Sequence, residues 1–155
     1  MSEKKEARQS DLRLIKNVIS ESIFKVNKDI EFSDWDSEDG NDLDIKVESN
    51  FGLKKDDPAT ARLILSVEIF SEDFIEKNNP FYCFVEMIFF FNDKIGEYSE
   101  EEPVVRKFGL NMVSIAYPYI RAYIATLTSI SGVDQIHIPA INVYSTFKQE
   151  KHEKE

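Results

Sequence analysis

Apolar positions recur along the chain with two periods, and the change between them sets the expected architecture. From Leu43 to Leu53, the residues Leu43, Ile45, Val47, Phe51 and Leu53 share one face against Asp44, Lys46, Glu48 and Asn50. That alternation marks a strand with one wet face. A second such run spans Arg62 to Phe70, with Leu63, Leu65, Val67 and Ile69 pointing one way. Between the two, Lys54 to Ala59, with Asp56-Asp57-Pro58, reads as a turn. The run from Phe81 to Phe91 differs from both. Phe81, Cys83, Val85, Met87, Phe89 and Phe91 form one face, while Tyr82, Phe84, Ile88 and Phe90 make the other apolar too, broken by Glu86. A strand apolar on both faces is normally covered on both. Helices are expected over one face and a second subunit over part of the other.

Leu12 to Phe32 fits either period. Leu12, Ile15 and Ile19 suit a helix, whereas Ser20, Ser22, Phe24 and Val26 suit alternation. The expectation adopted is a short irregular start followed by a first strand reaching about Phe32. Ser33 to Asp42 is an acidic connection, with Gly40 supplying turn freedom. After Gly96 the period lengthens. Ser99-Glu-Glu-Glu-Pro103 offers a Ser cap, acidic residues for a first turn and an early Pro, which together predict a helix start. Val105, Phe108, Met112, Ile115, Tyr119, Tyr123, Leu127 and Ile130 then recur at three- or four-residue steps. Pro118 is expected to kink or divide this helix near Tyr117, and Gly132 to stop it.

The 155 residues suit a single domain, 1–155, with 1–10 and 149–155 expected to be solvated, disordered tails. Apolar content of 42% is ordinary for a globular protein, but twelve Phe are many for this length and hint at apolar surface needing a partner. The formal charge of −10 argues against nucleic acid and against an anionic membrane surface. The N-terminal MSEKKEARQSD is polar from the start, unlike a secretory signal. Phe81–Phe91 is too short to cross a bilayer as a helix, so no membrane insertion is expected. The expected location is cytoplasmic.

Signals for chemistry are sparse. Cys83 is the one cysteine, so no disulfide framework or Cys-rich metal site is expected. It lies within an apolar strand, where thiols are usually inert packing groups. His137 sits between Ile136 and Ile138, and His152 lies in the charged tail; neither has a spacing that suggests a ligand or base. The acidic residues from Asp34 to Asp44 invite a calcium-loop reading that fails on register. With Gly40 at the sixth loop position, Trp35 falls at the first and Lys46 at the twelfth, where carboxylates are needed. No glycine-rich phosphate loop or nucleophile elbow occurs. The expectation is a protein without catalytic residues, metal or cofactor. Trp35, the only tryptophan, remains: either its loop folds back onto its own domain, or the indole anchors a partner.

Three stretches in order resemble the SecB family of export chaperones, including the SecB-like chaperones associated with toxin–antitoxin systems. Phe32-Ser33-Asp34-Trp35, followed by Asp42-Leu43-Asp44, is similar to the family's crossover loop and the start of its second strand. Tyr117-Pro118-Tyr119-Ile120-Arg121 resembles the Pro-containing core of its main helix. Ile136 to Val143, with Pro139-Ala140-Ile141-Asn142, looks like the segment before its final helix. The resemblance spans roughly Val18 to Phe147.

It implies an α+β fold: a four-stranded antiparallel sheet, a long kinked helix packed on one face and a short C-terminal helix. It also implies a homotetramer, a dimer of dimers, with helix contacts between protomers through Ala116, Ala122 and Ala125. The implied function is an ATP-independent holdase that binds unfolded or precursor polypeptides in apolar grooves, with Trp35, Tyr144 and Phe147 at the groove. In the export chaperones an acidic patch on the sheet docks the SecA motor. Ser22, Val26 and Phe84 stand at positions of that patch here, and Glu86 would keep part of it, which argues against docking to SecA. The last helix turns charged after Phe147, implying a shorter groove lid. Both departures favour a divergent member dedicated to a particular client. The rival reading is an adaptor for one folded partner, an antitoxin or a Sec component, without general holdase activity.

Overall fold

The computed structural model describes residues 11–38 and 40–132. Its elements are β1 (Leu12–Val26), α1 (Phe32–Ser37), β2 (Ile45–Lys54), β3 (Asp57–Ile69), β4 (Phe81–Asp93) and α2 (Val104–Ile130). The strands form one antiparallel sheet in the order β1-β4-β3-β2, and α2 packs across one face, an α+β fold. Among the described residues no helix is long and apolar enough to cross a membrane. The expected C-terminal helix, the connector 136–143, both histidines and both terminal tails lie outside the described residues.

Register decides which side chains share a face, because directly paired residues project to the same side. Ala61–Phe91, Leu63–Phe89, Leu65–Met87, Val67–Val85 and Ile69–Cys83 are such pairs on β3 and β4, and all ten are buried. Val104, Met112, Val113, Ala116, Ile120 and Ile124 of α2 close this face, each fully out of water. A buried Phe, Leu or Ile side chain contributes about 1.5–3 kcal/mol, so this one layer is the main source of stability. Burial also pushes the Cys83 thiol up to about 12, leaving it an inert thiol in the core.

The period-two reading of β2, β3 and β4 holds. β1 is the expected strand with other bounds: it is continuous from Leu12 and ends at Val26, well short of Phe32. Its ambiguity has a physical cause. The pairing with β4 slips between Leu14 and Lys16 and again between Ile19 and Glu21, so Ile15 and Ser20 are bulge residues. Each bulge moves the alternation by one position, and two of them imitate a longer period. The β2–β3 turn is also tighter than expected. Lys54 pairs with Asp57 around Lys55-Asp56, Asp56 takes φ 63°, and a bulge leaves Pro58 outside the β2–β3 ladder.

The helix start and the kink both move. α2 begins at Val104 with Pro103 as an extended N-cap (φ −73°, ψ 166°), because a residue before proline disfavours helical backbone. Ser99 caps only a preceding turn, its Oγ accepting from the Glu102 N–H at 3.0 Å. The helix runs unbroken through Pro118, which is exposed; the non-helical backbone is at Phe108 (φ −123°, ψ 15°), next to Gly109. On the solvent side, water can take the carbonyl that a proline frees, and a gentle bend suffices. The stop is as expected, with Gly132 in the left-handed region at φ 87°.

A buried carboxylate ties β4 to α2. Asp93, 1% exposed, accepts from the N–H of Ile95 at 3.0 Å, from that of Gly96 at 3.1 Å and from the Tyr98 hydroxyl at 2.5 Å. The Tyr98 ring lies over Gly96 so closely that a Cβ there would meet it at 2.6 Å. Tyr98 then meets Phe108 edge-on, 6.5 Å between centroids. This turn sets where α2 enters.

Candidate functional site

At the end of the covered face where β4 begins, α1 lies over a group of aromatic rings. Phe32 and Trp35 are three apart, so one helical turn puts both on the same side of α1. They stack on each other at 5.9 Å between centroids. Trp35 meets Phe70 edge-on at 5.6 Å, Phe70 meets Phe81 edge-on at 5.3 Å, and Phe24 stacks on Phe81 at 5.6 Å. Such aromatic pairs add about 0.5–1.5 kcal/mol each beyond the area they bury.

Phe70 has an unusual backbone. Its φ is 62°, a left-handed conformation that costs a bulky residue about 1–3 kcal/mol. The strain turns its ring from the strand end under Trp35, and its N–H is held by the Asp44 carbonyl at 2.8 Å. Strain of this kind persists only where surrounding contacts impose it.

The cover itself is slight. α1 has six residues, and its N-cap Glu31 makes no side-chain capping bond; an isolated helix of that length is unstable in water. Its own polar links are few: Asn41 donates Nδ2–H to the Trp35 carbonyl at 3.0 Å, and Ser37 Oγ donates to the Asp34 carbonyl at 2.9 Å. Phe32 and Trp35 therefore hold α1 in place. Lifting α1 would bare Phe24, Phe70 and Phe81. Glu31, Asp34, Asp36, Glu38, Asp42 and Asp44 surround this region and are all exposed. An apolar floor with an acidic rim suits a chain segment that carries apolar and basic residues.

Of the residues singled out from sequence, Trp35 is 9% exposed and packed on its own domain, which is the folded-back alternative. The three alanines do not form one outward patch. Ala116 is fully buried against the sheet, Ala125 is half-buried and Ala122 exposed, so Ala116 supports its own protomer's core and offers nothing to another. The reason is angular: Ala116 follows the buried stripe Met112, Val113, Ile120, Ile124 at helical spacing. Glu86 is half-buried on the opposite face of the sheet, where it accepts a hydrogen bond from Ser20 Oγ at 2.8 Å. Tyr144 and Phe147 lie outside the described residues. The sequence alone does not single out Phe32 or Phe70 as site residues. The i, i+3 spacing of Phe32 and Trp35 was a signal for the first; nothing in the sequence marks the backbone of the second.

No known family's sequence profile matches the chain. An uncharacterized protein of Methanocaldococcus jannaschii is 26% identical over 107 residues, covering 65% of this chain and 63% of that protein, so the chain spans less than two thirds of the length of the relative it matches. Among solved structures, the fold is similar to that of a SecB-like chaperone of Mycobacterium tuberculosis in complex with a ChAD peptide from the HigA1 antitoxin. The TM-score is 0.61 at 13% identity, over 84% of this chain and 88% of that one. The fold is SecB-like.

Proposed function

We propose that this protein is a cytoplasmic SecB-like chaperone that binds an unfolded or partly folded polypeptide at the aromatic cluster beneath α1. The observation that carries the reading is the combination at that site. Three aromatic side chains, one on strained backbone, lie under the two carried by a six-residue helix with no capping side chain. Apolar surface under a short cover is what a holdase requires: hidden when idle and bared by the movement of one element. Trp35 is then part of the movable cover and of the binding surface it uncovers. The binding needs no cofactor and no catalytic step. The likeness in fold to a SecB-like chaperone supports the same kind of activity, and on that likeness the working assembly is a homotetramer, with the exposed Ala122 on an outward helix face.

The departures at Ser22, Val26 and Phe84 favour service to one client over general export. A dedicated partner such as an antitoxin segment is the second reading. It is supported by the peptide bound to the M. tuberculosis protein and by the acidic rim, which selects basic segments. The test is light scattering of a chemically denatured substrate diluted into equimolar chaperone. Suppressed aggregation supports the holdase. No suppression, together with capture of one stoichiometric partner, supports the adaptor; neither result with an intact, folded protein removes both.

A further inference from the structure

The chain on either side of α1 is tied to the sheet by its backbone, and α1 itself by its rings. Before α1, Asn27 is buried. Its N–H donates to the Pro80 carbonyl at 2.9 Å and its Nδ2–H to the Asn79 carbonyl at 3.1 Å, while its Oδ1 accepts from the Asp29 N–H at 3.1 Å. After α1, the Asp44 carbonyl accepts from the Phe70 N–H, and Ile45 enters the ladder opposite Ile69. Between these two posts α1 meets the sheet through Phe32 on Phe81, 6.0 Å between centroids, and through Trp35 on Phe70. Gly40, left-handed at φ 89°, gives the chain a swivel beyond the helix end.

The sequence of α1 works against its own helix. Glu31 already has the extended backbone of an N-cap, φ −77° and ψ 120°, yet its side chain makes no cap bond. A Ser, Thr, Asp or Asn in its place would accept from the N–H of Ser33 or Asp34. At the other end, Asp36 and Glu38 add negative charge where the helix carbonyls already carry it, and no basic residue stands in the last turn. The seat opposes closure as well. Regular alternation after Ile69 would send the Phe70 ring to the opposite face of the sheet. It reaches Trp35 only through a left-handed backbone, φ 62°, that bulky residues rarely adopt. Aromatic packing is what overcomes all three.

We infer that residues 28–38 form a gate whose closed state is the seated α1, and that the helix stability of α1 sets the affinity of the site for its client. α1 and the client compete for the seats on Phe70 and Phe81. The apparent dissociation constant is then the intrinsic one divided by the open fraction. A change that favours the closed helix weakens client binding by the same factor, and a change that unwinds α1 strengthens it. Trp35 leaves Phe70 with the gate and then lies against the client, which keeps it in the binding surface. The client segment that displaces α1 carries a pair of large apolar side chains, because it fills two ring positions 5.9 Å apart. The inference rests on the client site proposed above and concerns what regulates that site.

The experiment pairs client affinity with acrylamide quenching of Trp35, which reads the gate directly because the chain has one tryptophan. Both are measured on the full chain and on Glu31→Asn and Asp36→Pro, with fluorescein-labelled, reduced and carboxymethylated α-lactalbumin as the client. Glu31→Asn supplies the missing cap, so it should lower quenching and weaken client binding about fivefold. Asp36→Pro removes a helical N–H, so it should raise quenching and tighten client binding about tenfold. Opposite shifts in affinity that follow the quenching support the gate. Quenching that changes while affinity stays constant overturns it and leaves the client site standing. Equal quenching in all three proteins also overturns it, because α1 then does not open. Absence of client binding in all three removes the client site and the gate with it. Glu31 and Asp36 are both exposed, and Glu31→Asn alone decides the matter where Asp36→Pro fails to fold.

Discussion

The two faces of the sheet are built from the same strands and do opposite work. On the covered face, Phe89, Leu63, Met87 and Leu65 are locked beneath α2 and nearly dry. On the bare face, Phe90, Ile64 and Ile88, their neighbours in sequence, remain half-exposed beside charged side chains. β4 is the strand where this contrast is sharpest, since it is aromatic on both sides. One side is an ordinary core. The other is apolar surface that folding alone does not use. The lesson is that a strand apolar on both faces need not be closed on both: α2 covers one side here, and the other stays half-exposed.

The largest expected effect breaks that contrast directly. Phe89→Ala should lower unfolding free energy by about 3–5 kcal/mol, while Phe90→Ala one residue along should cost under about 1.5 kcal/mol. Denaturant titration of the two reads the difference, and equal losses would mean the bare face is a core in the isolated chain. Trp35→Ala comes next. It should cost about 2–3 kcal/mol of stability, because the indole is buried, and should weaken client binding by on the order of 1–2 kcal/mol. Fluorescence anisotropy of a labelled, denatured client reads the second quantity; unchanged affinity would detach Trp35 from the site.

Asp93 tests what holds the covering helix in place. Burial alone would raise its pKa, but hydrogen bonds from Tyr98, Gly96, Ile95 and the Asp11 backbone together hold it below the usual value. A depressed folded pKa means its contribution is complete above the unfolded pKa of about 3.9 and is lost as pH falls through the lower folded value. Asp93→Asn should therefore cost about 1–3 kcal/mol at pH 7 and flatten the decline in stability below about pH 4. Thermal melts from pH 7 to pH 2.5 measure both. The smallest effect is Gly96→Ala: the added Cβ pushes the Tyr98 ring away, costing about 1–2 kcal/mol by repacking a single side chain. Equal melting temperatures for the variant and wild type would show that the Tyr98 contact does not fix α2.

How far the sequence could be read depended on whether a feature was local. β2, β3 and β4 were legible because strict alternation depends only on side-chain direction. β1 was legible as a strand but not in its bounds, since two bulges shift its alternation and a bulge has no residue signature here. α1 escaped because six residues are too few for a period to register. The helix start fell one turn late because Pro103 restrains Glu102 more strongly than the acidic run favours helix. Pro118 misled because its cost depends on which side of the helix it faces. Trp35 was visible as an oddity, yet its burial depends on Phe70 and Phe81, distant in sequence and brought under it by the sheet. Which side chains neighbour one another on the bare face could not be found at all without strand order and register.

Hydrogen–deuterium exchange with and without an equimolar denatured client is the most direct test of where polypeptide binds. The account predicts that the client changes exchange in α1, around Phe70 and at the start of β4, and leaves the bare face around Ile88 and Ile64 unchanged. Protection confined to the bare face, with α1 unaffected, would contradict it.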